Sequence, residues 1–151
     1  MKLRLAGASD LAVIMHHRRC MFREMGFGNE ADLDAMEATS GPFIEAGLAD
    51  GSYRGWLIEN AEGVVAGGGM VIAGFPSTPF DPQPQRVWIL NMYTEPEHRG
   101  QGLARSIMEA MIGWCREQGL AVVALHASEA GRPLYEHLGF TLTNEMRLKL
   151  K

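Results

Sequence analysis

The turn Arg99-Gly100-Gln101-Gly102 carries the clearest chemical signal in the chain. It follows an apolar, β-leaning run of Val87, Trp88, Ile89, Leu90, Met92 and Tyr93 and a stop at Thr94-Glu95-Pro96. It opens onto a strongly helical segment that begins near Leu103. A strand, a short basic glycine turn and a helix make an anion site, because the first turn of a helix has unpaired N–H groups and a partial positive charge. Gly100 and Gly102 let the backbone approach a ligand closely and reach left-handed dihedrals. These residues point to a turn that holds the pyrophosphate of a nucleotide-containing cofactor. A phosphate loop of the NTPase kind is disfavoured, since the turn lacks a Gly-Lys-Ser/Thr ending, and no GxGxxG follows the first strand. No G-x-S-x-G elbow is present, which argues against a Ser/His/Asp hydrolase.

The remaining titratable groups are less directive. His16 and His17 are neighbours, so a helix turns them about 100° apart and they make a poor pair of metal ligands. No HExxH pattern exists, and no metal is expected. His126 closes an almost wholly apolar run, where a satisfied core histidine is the expectation. Glu95 and Glu97 belong to a turn and are expected to be solvated.

The elements that must position this turn can be read in order. Lys2 to Ala6 alternates like a strand. Ser9 or Asp10 then caps a helix to about Met25, with His16, His17, Arg18, Arg19 and Arg23 on the side away from its apolar residues. Asn29 to Ala49 reads as a weaker helix, interrupted near Gly41-Pro42. Tyr53 to Glu59 and Val64 to Ala73 read as a hairpin, and Gly67-Gly68-Gly69 inside its second strand suggests a bulge or a close neighbour. Phe75 to Gln85 contains Pro76, Pro79, Pro82 and Pro84 and reads as a loop. After the glycine turn comes a helix from Leu103 to about Gln118, then Leu120 to His126 as a strand covered on both faces. Ser128 caps a short helix ending near Gly139. Thr141 to Leu150 alternates as a half-buried antiparallel strand, with Leu142, Met146, Leu148 and Leu150 on one side. The order β–α–α–β–β–β–α–β–α–β implies a mixed α/β (α+β) sheet: an antiparallel meander followed by one parallel pair.

A chain of 151 residues suits a single domain, residues 1–151. Its formal charge of -4 argues against nucleic acid as a partner and mildly favours a cationic or amine substrate, whereas the segment His16-His17-Arg18-Arg19 suggests an anionic group on the substrate, against that acidic balance. Cys20 and Cys115 have no CxxC spacing, and the N-terminus has no long apolar stretch. A reduced, cytoplasmic setting is therefore expected, with no membrane span.

This order and these motifs together resemble the GNAT superfamily, the GCN5-related N-acetyltransferases. The likeness is strongest from Val87 to Phe140. The family's signature of Arg or Gln, two residues, Gly, one residue and then Gly or Ala stands here as Arg99-Gly100-Gln101-Gly102-Leu103-Ala104. A second stretch, Ser128-Glu129-Ala130-Gly131-Arg132-Pro133-Leu134-Tyr135-Glu136-His137-Leu138-Gly139-Phe140, is similar to the family's closing segment, with Ser128 where asparagine is common. The resemblance implies acetyl-CoA as co-substrate, bound where the parallel strands Ile89–Thr94 and Leu120–His126 splay apart. Along Met92, Tyr93 and Thr94, the backbone of Met92 and Thr94 would pair with the pantetheine arm as an added strand. The N–H groups of Gly100, Gln101, Gly102, Leu103 and Ala104 would hold the pyrophosphate, with Arg99 and Arg105 adding charge and Ser128 a further contact.

The activity so implied is acetyl transfer from acetyl-CoA to a primary amine by direct attack. Tyr135 stands at the family's usual tyrosine position. Its phenol, titrating near ~10, is protonated at neutral pH and would protonate the departing thiolate. The base stays open between a water relay, His126, Glu95 and Glu97. The rival from another class is a non-catalytic acyl-CoA-binding regulatory module of the same fold. The acceptor, a small molecule or a peptide amine, is not legible. A homodimer is implied by family analogy alone.

Overall fold

The computed structural model describes all residues, Met1–Lys151. Strand β1 (Lys2–Leu5) leads through a 3-10 turn at Ala8–Asp10 into helix α1 (Leu11–Glu24), and α2 (Glu30–Asp50) follows. Strands β2 (Tyr53–Asn60), β3 (Gly63–Gly74) and β4 (Gln85–Thr94) form the meander. Helix α3 (Leu103–Glu117), strand β5 (Val123–Leu125) and helix α4 (Arg132–His137) complete the regular elements. The sheet order is β1-β2-β3-β4-β5, antiparallel except for the parallel pair β4-β5. This is the mixed α/β architecture expected from the sequence.

Helices α1 and α2 cover one face of the sheet, where Ile14, Ile44, Tyr53 and Leu57 pack together. Helix α3 covers the other. Its buried residues Leu103, Ile107, Met108, Met111 and Cys115 recur at helical spacing and pack on Trp56, Ile58, Met70, Val87 and Ile89. Tyr135 of α4 joins this second core.

Helix α2 runs unbroken through Pro42, contrary to the interruption expected there. Proline removes one N–H and crowds the preceding turn. Two hydroxyls occupy that turn: Ser40 Oγ donates to the Met36 carbonyl at 2.8 Å and Thr39 Oγ1 to the same oxygen at 3.1 Å. Leu33 before the proline is buried and faces the cavity shared with Arg18 and Phe22 of α1, while Ile44 after it is buried with Tyr53 and Leu57 of the sheet, so both halves are anchored. A reciprocal cap starts the helix, with Asn29 Oδ1 accepting from the Asp32 amide and Asp32 Oδ2 from the Asn29 amide.

Two expectations for the C-terminal third are corrected. The segment Thr141 to Leu150 forms no strand, and Leu142, Met146, Leu148 and Leu150 are 80–94% exposed. Alternation supplies a face, but a strand also needs a backbone edge to pair with, and this segment pairs with none, touching the end of β5 only through Glu145 and Arg147 at His126. Consequently β5 spans only three residues, each half-buried, at an open edge, and Val122 beside it is 56% exposed. It is not covered on both faces.

Replacing Pro42 with alanine restores an N–H to the middle of α2. It is expected to stabilise the fold by roughly 1–3 kcal/mol, read as a higher urea midpoint at unchanged slope.

Candidate active site

Strand β4 carries a bulge that organises the site. Tyr93 pairs with Gly67 and Leu90 with Gly69, so Asn91 and Met92 together oppose Gly68. Asn91 is the only non-glycine residue at positive φ, at 60°, a conformation that asparagine tolerates better than most side chains. The glycines opposite are required by space. A Cβ on Gly67 would lie 2.9 Å from His17 Nδ1, one on Gly68 would strike Met92 Sδ, and one on Gly69 would strike the Tyr53 hydroxyl.

The parallel pairing ends just before this bulge. Val87, Trp88 and Ile89 pair with Val123, Ala124 and Leu125, and no pairing continues beyond them. From Leu90 to Thr94 the side of β4 away from β3 is therefore free, and the two strands part as expected. This open edge runs through Thr94 into the turn at Pro96–His98 and on to Gly100, φ 74°, and Gly102, φ 77°. The amides of Gly100, Gln101, Gly102, Leu103, Ala104 and Arg105 donate to no acceptor in the chain. A Cβ on Gly100 or Gly102 would meet nothing within 4 Å, so the space beside both is open. A free strand edge leading to a row of free amides fits an extended ligand that ends in a diphosphate.

The charged residues of the turn point elsewhere. Arg99 donates through Nη2 to both oxygens of Glu24, at 2.8 and 2.9 Å, and through Nε to the Thr94 carbonyl. Glu24 also accepts from the Tyr93 hydroxyl at 3.1 Å, and burial together with that carboxylate raises the Tyr93 pKa. Arg105 lies 3.6 Å from Glu109 on its own helix. Ser128 Oγ accepts from the Gly131 amide at 3.1 Å and so shapes the start of α4. Tyr135 is buried against the α3 core, 6.0 Å from the Phe140 ring between centroids. Burial raises its pKa, and no hydrogen bond or charge contributes to that shift.

The bases considered from sequence separate in space. His126 is exposed, 3.2 Å from Arg147 and 3.5 Å from Glu145, and is not a core histidine. Glu97 is exposed, as expected. Glu95 is half-buried rather than solvated, bonded to His16 Nε2 at 3.2 Å. His17, expected on the outer side of α1, is only 1% exposed. Its Nε2 lies 3.5 Å from Glu95 without making a hydrogen bond.

Three further residues meet at the bulge: Arg18, from the basic run that suggests an anionic group on the substrate, and Asn91 and Tyr53, to which the sequence assigns no site role. Arg18 Nη1 donates to Asn91 Oδ1 at 2.8 Å, and Asn91 Nδ2 donates to the Tyr53 hydroxyl at 3.0 Å. A signal existed for one of them, a lone amide side chain in an otherwise apolar strand. No group of three or more His, Cys, Asp or Glu is placed to hold a metal ion. No helix is long and apolar enough to cross a membrane.

The Acetyltransferase (GNAT) family model matches residues 12–140. The chain belongs to the GNAT family. Its fold is similar to that of a GCN5-related N-acetyltransferase from Ralstonia eutropha JMP134, with a TM-score of 0.92, 36% identity and coverage of 99% of this chain and 97% of that one. A predicted acetyltransferase from Clostridium acetobutylicum, solved with acetyl-CoA, superposes with a TM-score of 0.88 at 27% identity over 99% of this chain and 95% of that one. Human N-acetyltransferase 8B is 29% identical over 93 residues, 60% of this chain. This GNAT chain covers only 39% of that protein's length.

Burial, with a smaller contribution from neighbouring His16, holds the His17 pKa down at about 4, against an ordinary value of 6.5. The unfolded chain therefore binds a proton at this position before the folded one does. The stability is fully present above about 6.5 and is lost as the pH falls toward 4, up to roughly 3 kcal/mol in total. Urea unfolding between about pH 7 and pH 5 is expected to show a stability slope that His17→Gln removes.

Proposed function

We propose that this protein transfers an acetyl group from acetyl-CoA to a primary amine by direct attack. The observation that carries the reading is the continuous path from the unpaired β4 edge, Leu90 to Thr94, to the free amides from Gly100 to Arg105. Acetyl-CoA, when bound, supplies an acyl carbon already activated as a thioester. The amides of the turn hold the diphosphate, and the backbone of Met92 and Thr94 pairs with the pantetheine amides in the place of a sixth strand. Arg99, tied to Glu24, braces the turn against α1 and adds positive charge beside it. A backbone N–H in the bulged segment polarises the carbonyl oxygen as it gains charge.

Tyr135 is the general acid in this reading. Burial raises its pKa, which keeps the phenol protonated, and no hydrogen bond or neighbouring charge contributes to the shift. It donates to the sulfur as the thiolate departs. The acceptor amine must lose its proton before attack, since a free alkylamine titrates near ~10. That proton leaves through water: His126 and Glu97 are exposed, and Glu95 is occupied by His16.

We also propose that the C-terminal segment pairs with a second copy of the chain. An alternating segment without backbone–backbone hydrogen bonds and an open β5 edge coexist in one molecule, touching only through His126 with Glu145 and Arg147. Exchanging the segments between two copies would satisfy both.

Two measurements check these proposals. Tyr135→Phe is expected to lower kcat at least ~10-fold while calorimetric acetyl-CoA affinity stays near wild type. Unchanged kcat with any responsive amine would remove the acid role. In light scattering the protein is expected to be dimeric and the Met146→Glu, Leu148→Glu double variant monomeric. A wild-type monomer would end the exchange proposal.

A further inference from the structure

Helix α1 carries three arginines, and two of them are matched by acids. Arg19 reaches Glu30, Asp34 and Glu37, and Arg23 reaches Glu30. Arg18 forms no ion pair. Its Nη1 is bonded to the Asn91 amide oxygen, its guanidinium lies 4.9 Å from the centre of the Phe22 ring, and its Nε is buried without an acceptor. Guanidinium stays charged in proteins even where desolvation pulls against it. A half-buried cation with no counter-charge is a costly arrangement, and an anionic ligand is the natural way to relieve it.

The same side chain forms part of the wall of a cavity of about 290 Å³ between α1 and the start of α2. Phe22, Phe27, Leu33 and Met36 make the rest of that wall apolar. Its one carboxylate, Asp32, is committed to the Asn29 amide at 2.8 Å, within the cap of α2. The cavity is thus apolar with one unmatched cation. Asn91 ties that cation to the β4 bulge, where acetyl transfer is proposed.

We propose that Arg18 and this cavity form the acceptor site, and that the acceptor is an amine bearing a nearby anionic group, carboxylate or phosphate, on an apolar body. The inference rests on the transferase reading. The anion pairs with the guanidinium and the apolar body fills the space beside Phe22, Phe27, Leu33 and Met36. The amine is left facing the bulge. The separation between amine and anion is short, because Asn91 both belongs to the bulge and contacts Arg18. Small apolar amino acids meet this description, as do aminoalkyl phosphates of similar shape.

The test is a thiol-release assay with matched amines. Leucine, methionine and phenylalanine are compared with isoamylamine, 3-methylthiopropylamine and phenethylamine, which lack the carboxylate. An aminoalkyl phosphate arm separates the two anions. Acetyl-CoA affinity is measured in parallel by calorimetry. One anionic class is expected to exceed its uncharged counterpart by at least ~10-fold in kcat/KM, a step that a single charge-assisted contact can supply. Arg18→Gln is expected to abolish that preference while acetyl-CoA affinity is unchanged, and Arg18→Lys to keep part of it. Circular dichroism melting of both variants reports folding. If Arg18→Gln does not fold, Arg18→Lys carries the comparison, because an ammonium cannot reproduce the planar fork. A wild type that binds acetyl-CoA yet treats charged and uncharged amines alike, or acts on none of them, overturns the acceptor site. A preference unchanged in the folded variants overturns it too. A wild type that does not bind acetyl-CoA overturns the transferase reading instead.

Discussion

Two residues of β4 set against one residue of β3 form the constraint on which the site depends. The extra residue turns Leu90 and Asn91 toward the same face, so the strand presents Leu90 to the α1 core and Asn91 to Arg18 and Tyr53 beside it. Regular alternation could not do this, because successive side chains would leave on opposite faces. The bulge also follows directly on the last pair with β5, Ile89 with Leu125. An added residue bends and twists the strand locally, which carries β4 away from its parallel neighbour and leaves its far edge unpaired. The glycine run in β3 is the matching half of the device, since His17, Met92 and Tyr53 occupy the volume that its side chains would need.

The electrostatics divide along the same line. Arg19 and Arg23 on the outer side of α1 meet α2 acids in exposed or half-exposed pairs, which add little stability individually but hold the two helices in register. On the inner side the polar groups are fewer and costlier. His17 is kept neutral by burial, and Arg18 remains charged without a carboxylate. The opposite face is apolar at its centre, with Ile107, Met108 and Met111 fully enclosed against the sheet, and carries one unmatched group, Arg54 Nε, where that side chain stacks on Trp56 and Trp114. Stability is thus concentrated on the α3 face. The α1 face carries two of the three buried side-chain atoms without a partner, His17 Nε2 and Arg18 Nε.

Local features of the chain were enough to locate the glycine turn. Gly100 and Gly102 at the head of an apolar-periodic helix imply free amides whatever surrounds them, because the first turn of any helix lacks acceptors for its N–H groups. The core face of α3, the hairpin of β2 and β3, and the order of elements as far as α4 followed from periodicity and turn residues for the same reason. Periodicity reports which side chains share a face. It does not report whether that face finds a neighbour, and so Thr141 to Leu150 could read as a strand and yet pair with nothing in its own chain.

Contacts between residues far apart in sequence belong to the tertiary structure alone. Arg99 was legible as a basic residue beside phosphates, but its reach to Glu24, across 75 positions of sequence, depends on how α1 crosses β4. His17 and Arg18 read as the polar side of a helix, and only the packing of α1 over the glycine run turned them inward. Asn91 is one more residue in a strand until the register of β3 against β4 makes it the bulge. The sequence by itself determined the turn that can take a diphosphate, since that depends on backbone groups a few residues apart. The cluster of Arg18, Asn91 and Tyr53 and the cavity beside it, proposed as the acceptor side, were decided by the tertiary fold, because they are assembled from α1, α2, β2 and β4 at a register that no single segment encodes.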